Sequence, residues 1–497
     1  MIELRDVSFQ YENSDKESVS HINMSVDKGE CILLCGKSGC GKTTVTKLLN
    51  GLIPHMASGK KEGSAYINGV SVDEIPMYQL SKTVGSVFQN PKSQFFNLDT
   101  DSELTFAVEN QGLSEDEINQ RLEEVTESLK IGHLRNRSIF ELSGGEKQLI
   151  AVASVCISRP EILVLDEPTA NLDLQAIHIL KNMLIQLKAA GITIIIAEHR
   201  LSYLFGIVDR VLYMSEGKIE KEYIGTEFFR LSDPERIRMG LRRLQERENS
   251  HRSTTYHTKQ RAIKIDNVSL RYGKKRILNN LSFTAFKGDI IGIVGKNGVG
   301  KSTFCRSVCG LHPLSTGSIQ IEGGYTSEKE RRNLSYIVMQ DVNHQLFGDS
   351  VMEEMTISQD HPDMEKANEL LREFALEDYK NHHPLALSGG QKQRLAIAVS
   401  LMLQKKIYVF DEPSSGLDYQ SMCAIRDQIA KLSDNGSTIF LITHDMELLD
   451  SLCNRCLFLE KDKIIELFPD RRNLSAIIED LLCSYLNKKG GGDNMGN

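Results

Sequence analysis

The strongest constraint on this chain is that it repeats itself. Residues 2–11 align with 263–272, and residues 36–43 align with 295–302. The register then holds to the end: Gln89 matches Gln340, Ser143 matches Ser388, Asp166 matches Asp411 and His199 matches His444, always in the same order. A repeat of this length is a duplicated and fused domain, so the fold of one half is the fold of the other. Each half reads as strand, Gly-rich turn and helix, then an amphipathic helical stretch (residues 114–131 and 364–374), then two more buried strands. That order predicts an α/β domain with a helical insertion. The expected boundaries are 1–227 and 262–487 for the two domains, 228–261 for the linker and 488–497 for a Gly-rich, disordered tail.

The linker opens on a capping box, Ser232 with Glu235, and continues with Ile237, Leu241 and Leu244 at helical spacing before turning polar. A docked helix followed by a flexible segment is expected. The formal charge of -8 and pI of 6.0 argue against wrapping nucleic acid by bulk electrostatics, so no nucleic-acid partner is expected. The longest apolar runs, such as residues 31–35 and 192–197, are strand length, well short of the roughly 18 residues of a spanning helix. Residues 2–9 lead straight into a strand, which predicts a cytosolic protein with its ten cysteines reduced. Cys453 and Cys456 have redox or zinc spacing, but Val208 and Val211 hold the same places in the first half. Core packing is therefore expected there.

Two segments, GKSGCGKT (residues 36–43) and GKNGVGKS (residues 295–302), each follow an apolar strand and open a helix. That is the context of a phosphate loop, in which backbone N–H groups and a helix N-terminus meet the anion. The expected binding residues are Gly36, Lys37, Ser38, Gly39, Cys40, Gly41, Lys42, Thr43 and Thr44 in the first half, and Gly295, Lys296, Asn297, Gly298, Val299, Gly300, Lys301, Ser302 and Thr303 in the second. The lysines Lys42 and Lys301 reach the outer phosphates, and Thr43 and Ser302 ligate Mg²⁺. The strands ILVLDEP (residues 162–168) and IYVFDEP (residues 407–413) end in adjacent acids, a costly pair unless a cation is present. Asp166 and Asp411 are read as metal ligands, and Glu167 and Glu412 as the groups that polarise the attacking water.

A third motif, LSGGE (residues 142–146) and LSGGQ (residues 387–391), precedes a helical run about twenty residues before each acidic strand. The three motifs, recurring twice in fixed order, resemble the ATP-binding cassette family over nearly the whole chain. The resemblance implies two tandem ABC-type P-loop NTPase domains, each a RecA-like α/β core with a helical subdomain. It implies ATP and Mg²⁺ as cofactors and an intramolecular pairing of the halves. In that pairing, residues 36–43 face Ser388, Gly389 and Gly390, and residues 295–302 face Ser143, Gly144 and Gly145. By the same resemblance Gln89 and Gln340 meet the metal and water, His199 and His444 meet the γ-phosphate, and Asp173 and Asp418 lie in loops that cross the interface. Tyr11 and Tyr272 look like the aromatics on which adenine stacks, a contact of about 1–3 kcal/mol. The halves differ at Glu146 and Leu149 against Gln391 and Arg394, which predicts unequal sites. Cys40, beside Lys42 and a helix N-terminus, is expected to be a reactive thiol.

Twin cassettes serve as transporter motors, ribosomal translation factors and DNA-repair ATPases. The repair class carries zinc insertions, for which no cysteine clusters exist, and the ribosomal class has a longer basic arm and an acidic motif running into Asn-His-Leu-Asp. Here those places read ANLD (residues 170–173) and SGLD (residues 415–418). A second glutamine, Gln94 or Gln345, precedes apolar residues at equal spacing in QNPKSQFF and QDVNHQLF. This resembles the energy-coupling-factor importers of vitamins and transition metals, with the ribosomal factors as the alternative. It implies a transmembrane coupling subunit and a substrate-binding membrane protein as partners, at the cytoplasmic face of the membrane. Gln94, Phe95 and Phe96, with Gln345, Leu346 and Phe347, are expected to line the docking grooves.

Overall fold

The computed structural model describes residues 1–244, 260–460, 463–469 and 474–481, apart from residues 13, 15, 90, 171 and 479 and the side chain of Lys92. The expected tail and the polar half of the linker lie outside the described residues. The chain divides into two compact units, Met1–Gln245 and Glu246–Asn497.

In the first unit the strands Cys31–Gly36 and Thr193–Ala197 are buried at every position. Strands apolar on both faces belong at the centre of a parallel sheet, and that is where they sit. The six-stranded sheet runs Lys218–Ile224, Arg210–Ser215, Cys31–Gly36, Thr193–Ala197, Ile162–Asp166, Val84–Val87, parallel except for its Lys218–Ile224 edge. Alternate side chains of one strand serve two cores: Ile32 and Leu34 pack with Ile2, Leu4 and Phe9, whereas Cys31, Leu33 and Cys35 pack with Val108, Leu149 and Leu180. The first of these cores lies under a four-stranded antiparallel sheet built on Ile2–Tyr11 and Val19–Val26. Val19–Val26 buries residues 19, 22, 24 and 26, with a one-sided pattern.

The second unit repeats the plan. Its central sheet runs Ser335–Val338, Ile407–Asp411, Thr438–Ile442, Ile290–Val294, Arg455–Glu460, Lys463–Leu467, and its antiparallel sheet is built on Arg261–Tyr272 and Lys275–Phe286. Both central sheets therefore place the strand leading to a histidine between the loop-bearing strand and the acidic strand. The three carboxyl ends meet, which is where open α/β sheets bind ligands.

The amphipathic stretches form the helices Glu115–Ser128, capped by Ser114, and Met364–Glu373, capped by Asp363. The linker begins as helix Asp233–Arg238 with the Ser232–Glu235 capping box in place. It is shorter than its spacing predicts, because Gly240 turns to φ 74 and Leu241 N–H returns to the carbonyl of Arg236. Leu241 still reaches the core, as a residue of the turn and not of a helix. Cys453 and Cys456 are buried against Gly292, where a Cβ would meet their Sγ atoms at 3.3 and 2.4 Å. Leu33 and two valines fill the matching space in the first unit, so the pair is packing. Among the described residues no helix is long and apolar enough to cross a membrane.

Candidate nucleotide sites

Each expected phosphate loop links the end of a buried strand to an eight-residue helix, Lys42–Leu49 or Lys301–Val308. Gly36 has to be glycine, since a Cβ there would lie 2.1 Å from the Met214 carbonyl oxygen. Gly41, at φ 100, caps the helix and offers no side chain to its first N–H groups, and Gly300 does the same in the second unit. Those donors fit an anion. Lys42 is buried and curls back into the loop, its Nζ donating to the carbonyls of Gly36 and Lys37, both at 3.1 Å. Lys301 donates likewise to Gly295 at 2.7 Å, Lys296 at 3.2 Å and Asn297 Oδ1 at 3.3 Å. Ser38, Gly39 and Gly144 are exposed, and nothing beyond the adjacent residues lies within 4 Å of a Cβ built on Gly39 or Gly298. Thr44 is buried and Thr303 half-buried on the helices behind the loops.

Strand ends bring the acids to these loops. Thr43 Oγ1 donates to Asp166 Oδ1 at 3.2 Å, and Ser302 Oγ donates to Asp411 Oδ2 at 2.8 Å. Burial, then the charge of Glu167, pushes the Asp166 carboxyl up to about 6; burial also raises Asp411. Burial acts the same way on Glu167, but a hydrogen bond and charge from His199, with Lys42 and Arg242, hold it below the ordinary value. His199 Nε2 lies 3.5 Å from Glu167 Oε1, and His444 Nε2 lies 3.7 Å from Glu412 Oε1. Gln89 donates to Glu167 Oε2 at 2.7 Å; Gln340 follows its strand in the same place and is exposed. Both glutamates adopt the left-handed region, at φ 47 and φ 52. That region is uncommon for residues other than glycine, although Asp6, Lys130, Glu216 and Ala375 also adopt it elsewhere in this chain.

Hydroxyl and carboxylate oxygens of this kind are hard donors that suit Mg²⁺, which takes one or two carboxylates and completes its shell with phosphate oxygens. No cluster of three His, Cys, Asp or Glu able to hold a metal occurs among the described residues. A phosphate-completed shell does not need one.

Residues that the motifs did not single out hold this cluster together. Thr169 donates from Oγ1 at 2.7 Å to the buried Glu198, which also accepts from the backbone N–H of His199 at 2.8 Å and the Tyr203 hydroxyl at 3.3 Å. In the second unit Ser414 Oγ donates to Asp445 Oδ2 at 2.7 Å. The hydroxyls align in the repeat, but one acid precedes its histidine and the other follows it. Asn297, a loop residue, pairs with His444 Nε2 at 3.2 Å.

Ser143 and Ser388 cap the helices Gly144–Cys156 and Gly389–Met402, each in a capping box with Glu146 or Gln391. Gly145 is buried, whereas Ser388 and Gly389 are exposed and Gly390 half-buried. Glu146 also pairs with Arg137 at 2.9 Å, and Arg394 donates to Ser421 at 3.2 Å. Asp173 and Asp418 cap the helices Leu174–Ala189 and Tyr419–Asp434. Tyr272 is two-thirds exposed and stacks on His312 with ring centres 5.7 Å apart. Tyr11 is half-buried, edge-on to Phe9, with its hydroxyl 3.5 Å from Thr44 Oγ1.

Two expectations are corrected. Cys40 is 4% exposed, and burial raises its thiol above the ordinary value despite Lys42 Nζ at 3.8 Å. It is a poor nucleophile, because the thiolate has lost its water. Of the residues expected to line grooves, Gln94 and Gln345 instead brace their own loops. Gln94 donates to Ser86 and accepts from Phe88 N–H, and Gln345 donates to Ile337 and accepts from Met339 N–H. Leu346 is buried and Phe95 packs on the core, leaving Phe96 and Phe347 about three-quarters exposed.

The ABC transporter family profile matches residues 19–170 and 278–415, more than half of the chain and once in each half. A putative ABC transporter ATP-binding protein of Treponema denticola is 46% identical over 95% of this chain and 98% of its own length. The putative HMP/thiamine import ATP-binding protein YkoD of Bacillus subtilis is 29% identical over 92% of this chain and 90% of its own. Among solved structures, RNase-L Inhibitor shares the fold, with a TM-score of 0.66 and 22% identity over 96% of this chain and 92% of that one. By its family match and its relatives, this chain belongs to the ABC transporter family, as an ATPase with two ATP-binding cassettes fused in one polypeptide.

Proposed function

We propose that this ATPase is the motor of a membrane import system of the energy-coupling-factor type, serving vitamin or transition-metal uptake from the cytoplasmic face of the membrane. The domains are 1–227 and 262–487, joined by the linker 228–261. Two ATP sites form between the halves, each loop closed by the Ser-Gly-Gly segment of the other half. In each site the loop and its lysine bind the triphosphate, and Tyr11 or Tyr272 stacks on adenine. Thr43, Asp166 and Gln89, or Ser302, Asp411 and Gln340, hold Mg²⁺, which when bound neutralises charge on the phosphate oxygens. Glu167 or Glu412 orients and polarises the attacking water, with His199 or His444 at the γ-phosphate.

One observation carries the transport reading: Phe96 and Phe347, at matching positions in the repeat, are the exposed aromatics beside the glutamine-braced loops. Phe96 stacks on Phe106, ring centres 5.3 Å apart, and Leu98 is exposed nearby in sequence. Exposed apolar residues at repeated positions suit a docking surface for short helices of a transmembrane subunit. The name of the Bacillus subtilis relative, which refers to thiamine import, supports the same class.

The test is copurification from detergent-solubilised membranes, with mass spectrometry of the partners. A polytopic transmembrane protein and a substrate-binding membrane protein are expected with the wild type, and both should be lost from Phe96→Ala/Phe347→Ala while ATPase activity persists. Cosedimentation with ribosomes and no membrane partner would overturn the import reading in favour of a translation factor.

A further inference from the structure

The second unit has a cavity of about 650 Å³ at the amino-terminal end of its central sheet. Ile407 and Thr438, the first residues of two adjacent parallel strands, line it, whereas Asp411 ends the first of those strands about 13 Å away. The first unit has a cavity of about 530 Å³ in the matching place: Leu187 and Gly191 line the one, and Leu432 and Gly436, aligned with them, line the other. Duplication has kept the hollow and changed its charge, since Pro160 and Glu161 of the first wall are Lys405 and Lys406 in the second. In the first cavity Arg159 pairs with Glu124, and Arg121 with Glu117 at 2.8 Å. Five lysines line the second: Lys287, Lys366, Lys405, Lys406 and Lys431. Their acids are fewer. Glu322 is shared by Lys287, at 2.9 Å, and Lys406, while Glu373 pairs with Lys431 at 3.1 Å. Lys366 and Lys405, both half-buried, form no ion pair among the described residues; Lys366 Nζ donates to the Leu401 carbonyl at 2.6 Å and Lys405 Nζ to that of Asn333 at 2.8 Å. One carbonyl occupies one of the three N–H groups of an ammonium, so each lysine keeps two donors and its charge.

Five ammoniums against two carboxylates leave an excess of positive charge around a hollow that Leu370, Leu401 and Leu403 also line. Like charges gathered in this way repel one another unless an anion lies among them. Among the described residues every cation lining the cavity is a lysine, which meets phosphate as a point charge and lacks the planar fork that pairs side-on with a carboxylate. A phosphate monoester carries about -1.5 to -2 charge at pH 7, and the volume falls in the range of about 300–1,000 Å³ usual for small-molecule sites. We propose that this cavity binds a small phosphorylated metabolite, its phosphate drawn to Lys366 and Lys405 and its carbon skeleton set against the three leucines. The site is separate from the second phosphate loop, which lies at the other end of the same sheet.

The probe is pyridoxal 5′-phosphate, an aromatic phosphate monoester whose aldehyde condenses with a lysine amine, releasing water, and is fixed by borohydride reduction of the imine. The full chain is labelled under saturating MgATP, which shields the phosphate loops, and the modified lysines are read by peptide mass spectrometry. Lys366 and Lys405 are expected to label about tenfold or more faster than the exposed Lys60. Glycerol 3-phosphate should protect them at lower concentration than sulfate or citrate, and glycerol should not protect. Lys406→Glu, which copies Glu161, should slow labelling at both by about ten- to a hundredfold, the worth of one charge-assisted contact, while ATP hydrolysis persists as the sign of a folded chain. Lys405→Ala, read at Lys366, carries the same expectation in a second variant. Labelling in proportion to exposure, or undiminished in both variants, would mean that the lysines only cap carbonyls. Equal protection by sulfate would mean an adventitious ion only, and stronger protection by citrate a polycarboxylate site; each of these results overturns the proposal.

Discussion

Gln89 donates from Nε2 to Oε2 of Glu167 at 2.7 Å, joining the loop after strand Val84–Val87 to the residue that follows strand Ile162–Asp166. The glutamate is also met by His199 on its other oxygen and sits in a left-handed backbone conformation. Glutamine keeps that shape and removes the charge. Glu167→Gln and Glu412→Gln are each expected to lower steady-state ATP hydrolysis, with the double variant reduced by about 10²–10⁴, the usual worth of a positioned general base. Phosphate release at saturating MgATP measures it. An unchanged rate in one single variant would mark that site as regulatory.

The Asp166 carboxyl stands at about 6, above the ordinary aspartate value of about 3.9. The folded protein therefore binds this proton more tightly than the unfolded chain does. Its contribution to nucleotide-free stability is present at acid pH and is lost as pH rises through the folded value. Magnesium requires the carboxylate, so the sign reverses for metal binding: affinity for Mg²⁺ in the presence of ATP should rise between pH 5 and about 7. Asp166→Asn should flatten this profile. A profile that keeps its shape in that variant assigns the proton elsewhere.

Thiol labelling distinguishes Cys40 from the reactive residue that its neighbours in sequence suggest. Of the nine described cysteines, eight are buried and Cys423 is intermediate. Among those nine, N-ethylmaleimide at neutral pH should modify Cys423 first and Cys40 slowly, as read by peptide mass spectrometry. Cys40→Val, which copies Val299, should leave ATP hydrolysis near the wild-type rate. Rapid labelling of Cys40 in folded protein would contradict its burial.

Leu346 and Phe347 are adjacent in sequence and opposite in environment, 6% and 77% exposed. Leu346→Ala should cost about 2–5 kcal/mol of stability through the cavity it leaves. Phe347→Ala should change stability by less than about 0.5 kcal/mol. Chemical denaturation of the two variants, read with a probe in the second unit, makes the comparison.

Much of this was legible because the decisive residues are local. A glycine-rich loop between a strand and a helix, and two acids at the end of an apolar strand, can only be read one way, and the repeat then doubles each reading. Sheet order brings the loop, acid and histidine together, and parallel strands of this kind always end on one side. Burial of individual neighbours was less legible: FF and LF look alike in sequence, and whether the first or second faces the core depends on the turn set by Gln94 or Gln345. The same holds for Cys40, where a helix N-terminus and a lysine argue for a thiolate and desolvation by surrounding side chains outweighs both. Gly240 ended the linker helix early because its positive φ closes the turn onto the Arg236 carbonyl.

The ties between Thr169 and Glu198 and between Ser414 and Asp445 place the acid on opposite sides of the histidine in the two halves. The duplicated domains have thus kept a mechanical joint while exchanging the part that makes it. Residues at aligned positions are consequently not interchangeable one at a time: Thr443 moved to position 198 would strand the Thr169 hydroxyl, and it becomes tolerable only when Arg200 is replaced by aspartate as well. Effects at these positions should be strongly non-additive, and a working chimera of the two cassettes would have its junctions outside the stretch from the acidic strand to the histidine.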